Sequence, residues 1–197
     1  ISNCQSALHV LEVFRLAQLT LGKDVENLPL DIVPLFETID DLAKAPNIME
    51  QLYQNEAYRK HLESRKSKQT IMLGFSDGTK DGGYIRANWS ILLAKEELTK
   101  VSRLNDVSVV FFDGRGGPPA RGGGNMHNFY ASLGQQVENE EIQVTIQGQT
   151  ISANYGKPVS CTYNLEQLLC AGIENELYPS SEKTLNAGQR ALIDQMA

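Results

Sequence analysis

The chain has 197 residues, 41% hydrophobic and 21% charged, the composition of an ordinary folded domain with a core of its own. Its formal net charge of −6 comes without the basic footprint that broad nucleic-acid binding needs, so no nucleic-acid partner is expected. No apolar run approaches the roughly 18 residues of a membrane-spanning helix, so no membrane association is expected.

The amino end, ISNCQSALHVLEVF, is apolar and carries neither methionine, polar leader nor the basic region of a signal peptide. It reads as a segment of a longer, cytoplasmic protein. Cys4, Cys161 and Cys170 are odd in number and unpaired in spacing, which points to idle thiols rather than a disulfide framework or a zinc site. Residues 7–21 place Leu8, Leu11, Phe14, Leu16 and Leu19 at helical spacing. DIVPLF (31–36) is a run of strand length. ETIDDLAKAPNIMEQLYQNEAYRKHLESRK (37–66) predicts one or two helices, with Pro46 forcing a break or restart. QTIMLGFSD (69–77) is the next strand, 82–104 a long helix, and VSVVFFDG (107–114) a β-branched and aromatic strand. MHNFYASLGQQV (126–137) predicts a shorter helix, 141–156 a strand with room for a hairpin, and 161–177 the last clear helix.

This alternation predicts an α/β fold with a parallel sheet. The strands are apolar almost throughout, which suits strands covered on both faces, in a doubly wound sheet or a (β/α)8 barrel.

Each strand ends in polar residues. Glu37 closes the first, Asp77 the second, and Asp113 with Arg115 the third, at roughly the spacing of one strand–loop–helix unit. A lone acid at a strand end is often only a helix N-cap. Three consecutive units ending this way point to a site, because the carboxyl edge is where α/β sheets and barrels bind ligands. Glu37 and Asp77 on neighbouring strands repel unless a cation lies between them. Two hard oxygen donors suit Mg2+ or Mn2+, and a general acid/base pair is the alternative.

In GFSDGTKDGG (74–83), Lys80 is placed to steer or neutralise an anionic substrate. The order of residues is not that of a Walker A loop. In FFDGRGGPPARGGG (111–124), Arg115 and Arg121 offer planar forks that fit carboxylate or phosphate. Gly116, Gly117 and Gly122 let the backbone come close to substrate, Pro118 and Pro119 stiffen the middle, and the glycines at 122–124 leave the far end free to close as a lid.

Four stretches together carry a resemblance: VPLFETIDDL (33–42), MLGFSDGTKDGGYIRANW (72–89), FDGRGGPPARGGG (112–124) and VTIQGQTI (144–151). In this order and spacing they resemble phosphoenolpyruvate carboxylase, over nearly the whole chain. The resemblance implies that residues 1–197 are part of a TIM-type (β/α)8 barrel domain in a longer chain. It implies a lyase that carboxylates phosphoenolpyruvate with bicarbonate to oxaloacetate and phosphate, allosteric and homotetrameric in the family. By the same resemblance Glu37 and Asp77 hold the Mg2+ or Mn2+ ion, Lys80 lies near substrate, Arg115 serves the carboxylation site and Arg121 rides the mobile loop.

One position departs from the family pattern, which usually reads FHGRGG with a catalytic histidine; here Asp113 stands in its place. A carboxylate cannot donate like an imidazolium near neutral pH, and pairing with Arg115 is the expected alternative. His127 matches a histidine that often follows the loop and is expected to pack there, and His9 is read as structural. Carboxylation is the leading expectation. Bicarbonate-dependent phosphoenolpyruvate hydrolysis and a non-catalytic interaction module are the alternatives.

Overall fold

A computed structural model describes residues 1–22, 28–118, 122–178 and 184–197 of the chain. The described elements run α1 (Ala7–Leu21), β1 (Leu35–Phe36), α2 (Ile39–Gln54), α3 (Glu56–Ser64), β2 (Lys68–Leu73), α4 (Ser76–Leu104) and β3 (Ser108–Gly116). They continue with α5 (Met126–Ser132), β4 (Ile142–Ile146), a π-helical turn (Ile151–Tyr155), α6 (Pro158–Leu177) and α7 (Ala187–Met196). The strands form one four-stranded sheet in the order β1-β2-β3-β4, every pair parallel.

Several boundaries differ from the sequence reading. β1 keeps only two of the six residues of the run expected, 31–36. Pro46 does not break α2: it sits inside it, and the break falls at Asn55. Proline costs that helix a backbone bond, but Leu42, Ala45, Met49 and Leu52 form a buried stripe that runs straight across it. The Asn55 side chain then accepts from the Tyr58 amide and starts α3. α4 begins six residues before the expected helix, at Ser76 rather than Gly82, with a kink at Gly83 (φ 80°). The segment after β4 turns into the π-helical turn rather than a hairpin, and α7 was not foreseen.

Sheet register decides what faces the helices. In β2, Gln69, Ile71 and Leu73 are buried; in β3, Val109, Phe111 and Asp113 are. These alternate positions share one face, as strand geometry requires, and they pack against Met49, Leu52, Ile91 and Leu98 of α2 and α4 in a single core. On the other face Val110 is buried while Thr70, Met72 and Phe112 are half-buried, so the two-sided cover expected of these strands is complete on one face and partial on the other. Tyr53 and Ser102 share a hydrogen bond of 3.1 Å that ties α2 to α4 inside the core. Cys4 packs in the core as a thiol. Among the described residues no helix is long and apolar enough to cross a membrane.

Gln69 is the polar tie of this core. Its amide donates to the Ile32 carbonyl (3.0 Å) and the Thr70 carbonyl (2.7 Å), and its oxygen accepts from the Tyr58 hydroxyl (2.8 Å). Burial raises the Tyr58 pKa well above a phenol's ordinary value, so the hydroxyl stays a donor. Replacing Gln69 by Leu orphans a buried hydroxyl and a buried carbonyl. Urea unfolding is expected to show a loss of about 1–3 kcal/mol for Gln69→Leu. For Thr70→Val, on the half-open face, it is expected to show under about 0.5 kcal/mol.

Candidate active site

The carboxyl edge of the sheet gathers most of the polar residues singled out in the sequence. Glu37 directly follows β1. The Gly74 amide donates to the Phe36 carbonyl (2.8 Å), carrying the β1–β2 pairing one residue past β2. A Cβ on Gly74 would lie 3.0 Å from the Cα of Glu37, so the absence of a side chain there is what lets the two strand ends come this close. A further tie runs from the Ile39 amide to the Asp81 carboxylate (3.3 Å), holding the start of α2 against the first turns of α4.

Asp77 does not end a strand. β2 stops at Leu73, and Asp77 lies in the first turn of α4, where a carboxylate is favoured by the exposed amides of the helix start. Lys80, one turn on, donates to Asp77 at 2.8 Å, and both side chains are more than half exposed. An ion pair this exposed contributes at most about 1 kcal/mol and yields readily to a stronger partner. Among the described residues no group of three or more His, Cys, Asp or Glu side chains gathers as a metal-ligand cluster. Glu37 directly follows β1, and Asp77 follows the adjoining end of β2 by four residues, in the first turn of α4.

Arg115 lies at the end of the third strand, where the sequence reading put it, because β3 runs on to Gly116 across an irregularity in its pairing with β4. Gly116 permits that irregularity: a Cβ there would sit 1.4 Å from the Thr145 carbonyl oxygen. Arg115 is 5% exposed. Its guanidinium carbon lies 4.1 Å from the Phe129 ring centroid and 5.5 Å from that of Phe75. One Nη donates to Asn88 Oδ1 (3.0 Å) and to the Gly122 carbonyl (2.9 Å), and Nε has no partner among the described residues. The loop beyond is held where it is described. The Gly117 amide donates to Arg115 O, the Gly123 amide to Pro118 O, and the Tyr84 hydroxyl to Gly123 O. Arg121, with Pro119 and Ala120, lies outside the described residues.

Asp113 does not pair with Arg115, contrary to expectation. It is fully buried, and its Oδ2 accepts from Lys95 Nζ (2.8 Å) and from the Tyr130 hydroxyl (2.8 Å), while Oδ1 has no partner. Lys95 comes from α4, is 1% exposed, and is ringed by Phe111, Phe129 and Tyr130 at 5.0–5.7 Å. Burial pushes the Lys95 pKa down; Asp113 opposes this by its charge and hydrogen bond, and Arg115 adds to the lowering. Burial, then Asp113, raises the Tyr130 pKa far above a phenol's ordinary value, keeping the proton on the hydroxyl. His127 sits outside this cluster, 4.0 Å from Glu174 on α6.

Sequence reasoning missed Lys95, Asn88, Phe129 and Tyr130. The available signal was Lys95 itself, a lysine in the buried stripe Ile91, Ala94, Leu98 of α4.

The chain as a whole is similar to known proteins. The family model described as phosphoenolpyruvate carboxylase matches residues 1–197. Curated relatives named phosphoenolpyruvate carboxylase include one from Nitrosomonas eutropha, 41% identical over 181 residues, covering 90% of this chain and 19% of the relative. One from Corynebacterium efficiens is 41% identical over 153 residues, covering 78% of this chain and 17% of the relative. One from Prochlorococcus marinus is 38% identical over 186 residues, covering 91% and 19%. The chain thus spans less than a fifth of the length of these relatives.

Lys95 and Asp113 stabilise each other by charge inside the core, so breaking the pair from one side is expected to cost more than removing both charges. Lys95→Met leaves a buried carboxylate without its cation and is expected to cost about 3–5 kcal/mol in urea unfolding. Lys95→Met/Asp113→Asn keeps an acceptor for Tyr130 and is expected to recover more than half of that loss.

Proposed function

We propose that this chain, which belongs to the phosphoenolpyruvate carboxylase family, is one segment of a longer enzyme that joins bicarbonate to phosphoenolpyruvate, giving oxaloacetate and phosphate. The observation that carries the reading is the arrival of Glu37, Asp77, Lys80 and Arg115 at one edge of a parallel sheet, from three consecutive strand–helix units. Residues 1–197 form part of a (β/α)8 barrel in this reading. The parallel order β1-β2-β3-β4 and the partly covered second face, with Val110 buried and Thr70, Met72 and Phe112 half-buried, support it, since further strands would turn that face into a barrel interior. The complete enzyme is a cytoplasmic homotetramer in this reading.

Glu37 and Asp77 fit a divalent ion: two carboxylates repel without one, and Mg2+ takes one or two carboxylates while keeping several waters. Bound there, Mg2+ or Mn2+ would supply positive charge to phosphate and enolate oxygens. Lys80, released from Asp77, turns its ammonium to the phosphate of the substrate. Arg115 holds the bicarbonate-derived anion with the donors it does not spend inside the protein, its plane fixed by Phe129 and Phe75. The Gly-rich stretch after β3, which carries Arg121, would serve in this reading to keep water from the intermediate. Asp113 serves from within the core, behind Arg115, and donates no proton to substrate.

The test measures oxaloacetate and phosphate together in the full-length protein, with Mg2+, bicarbonate and phosphoenolpyruvate. Equal yields are expected, together with a fall in bicarbonate-dependent turnover of roughly 10²–10³-fold for Arg115→Ala, the loss typical of a donor that stabilises developing charge. Phosphate released in large excess over oxaloacetate by the wild-type protein would replace carboxylation with hydrolysis.

A further inference from the structure

We propose that Lys95 is a positioning residue whose work is to sequester the Asp113 carboxylate, so that the neighbouring Arg115 keeps its positive charge unpaired for the anion it binds. The proposal rests on the reading of Arg115 given above. It begins with a count of charge. Lys95, Asp113 and Arg115 are two cations and one anion in one buried cluster, and the structure spends the anion on Lys95. Among the described residues, the hydrogen-bond acceptors of Arg115 are neutral, Asn88 Oδ1 and the Gly122 carbonyl, and Nε has none.

Strand geometry makes the alternative pairing available. Asp113 and Arg115 are two residues apart in β3, so their Cα atoms are separated by about 6.6 Å of strand. Both side chains reach the same aromatic group: Asp113 binds the Tyr130 hydroxyl, and Arg115 stacks on Phe129 beside it. Asp113 Oδ1 is a buried acceptor without a donor, and Arg115 Nε a buried donor without an acceptor. A planar guanidinium is the better match for a carboxylate in most settings. What holds Asp113 away from it is Lys95, with Tyr130 donating to the same oxygen. The aromatic rings around Lys95 Nζ accommodate its charge further by their negative faces.

Without Lys95, Arg115 is the cation that the strand places two residues from the buried carboxylate. Pairing the two removes the charge of Arg115 and turns its fork from the site edge toward the core. A purely structural role for Lys95 would lower stability and the yield of folded enzyme without changing how folded enzyme depends on bicarbonate.

The experiment is steady-state kinetics of the full-length protein against bicarbonate, comparing wild type, Lys95→Met, Lys95→Met/Asp113→Asn and Arg115→Ala. Lys95→Met is expected to raise the bicarbonate KM roughly tenfold or more, the loss of one charge-assisted contact. The double variant, with no carboxylate left to capture Arg115, is expected to return the KM toward wild type. Two results overturn the proposal: an unchanged bicarbonate KM in Lys95→Met while Arg115→Ala is impaired, or an increase that the second substitution does not reverse. Both leave the carboxylase reading standing. An Arg115→Ala variant with normal bicarbonate dependence overturns the reading of Arg115 and the proposal with it. If Lys95→Met does not fold, a crystal structure of the full-length wild-type protein decides. Lys95 on Asp113 with Arg115 free of it is the expected arrangement, and an Asp113–Arg115 hydrogen bond refutes it.

Discussion

Parallel pairing of β1, β2 and β3 is the constraint on which the rest depends. Leu35 lies opposite Met72, and Met72 opposite Phe112, so three strands reach their carboxyl ends side by side. Glu37, the loop to Asp77 and Lys80, and Arg115 therefore meet at one edge although they are far apart in sequence. A slip of one residue in this register would turn each strand's helix-facing set to the other face. Ile71, Leu73, Val109 and Phe111 would leave the core, and Asp113 would lose Lys95. Burial of the aliphatic set thus fixes the placement of the polar residues. Gly74 completes it by allowing the β1 and β2 ends to touch.

The buried charges join the core to the site edge. A lysine and an aspartate in a dry core are costly unless each satisfies the other, and removal of either leaves the other uncompensated. Here the pair also borders Arg115 through a shared aromatic group, Phe129 with Tyr130. If Arg115 binds the anion as proposed, stability and binding are linked at this point, because the carboxylate that neutralises Lys95 lies two residues from Arg115 on the same strand. The aspartate at a position where the family usually carries histidine is then understandable as half of a pair whose other half lies in α4.

Much of the fold was legible in the sequence because its strands are short apolar runs and its helices carry amphipathic stripes. Helix α1 spans the residues its periodicity marks, 7–21. The alternation of elements correctly implied a parallel sheet. Boundaries failed where two local signals competed. GFSD reads as a strand end, yet Ser76 and Asp77 already belong to α4, since a helix start accepts a carboxylate as readily as a strand end does. Pro46 reads as a break, yet the buried stripe of α2 outweighs it. At the site, Glu37, Asp77, Lys80 and Arg115 were visible as polar punctuation between apolar runs. Lys95 was masked by the charged helical stretch around it, AKEELTK, and only its helical spacing from Ile91 and Leu98 marked the face it takes. Its partner Asp113 was visible, but assigned to the arginine beside it in sequence rather than the lysine beside it in space.

The central claim is that Glu37 and Asp77 form a divalent-cation site at the edge where Arg115 emerges. The direct measurement is a crystal structure of the full-length protein grown with Mn2+ and a non-reactive phosphoenolpyruvate analogue, read by anomalous scattering at the manganese edge. The account predicts one strong peak bonded to a carboxylate oxygen of Glu37 and one of Asp77, with Lys80 turned from Asp77 to the analogue's phosphate. A manganese ion bound without either carboxylate, with the Lys80–Asp77 pair intact beside a bound analogue, would contradict it.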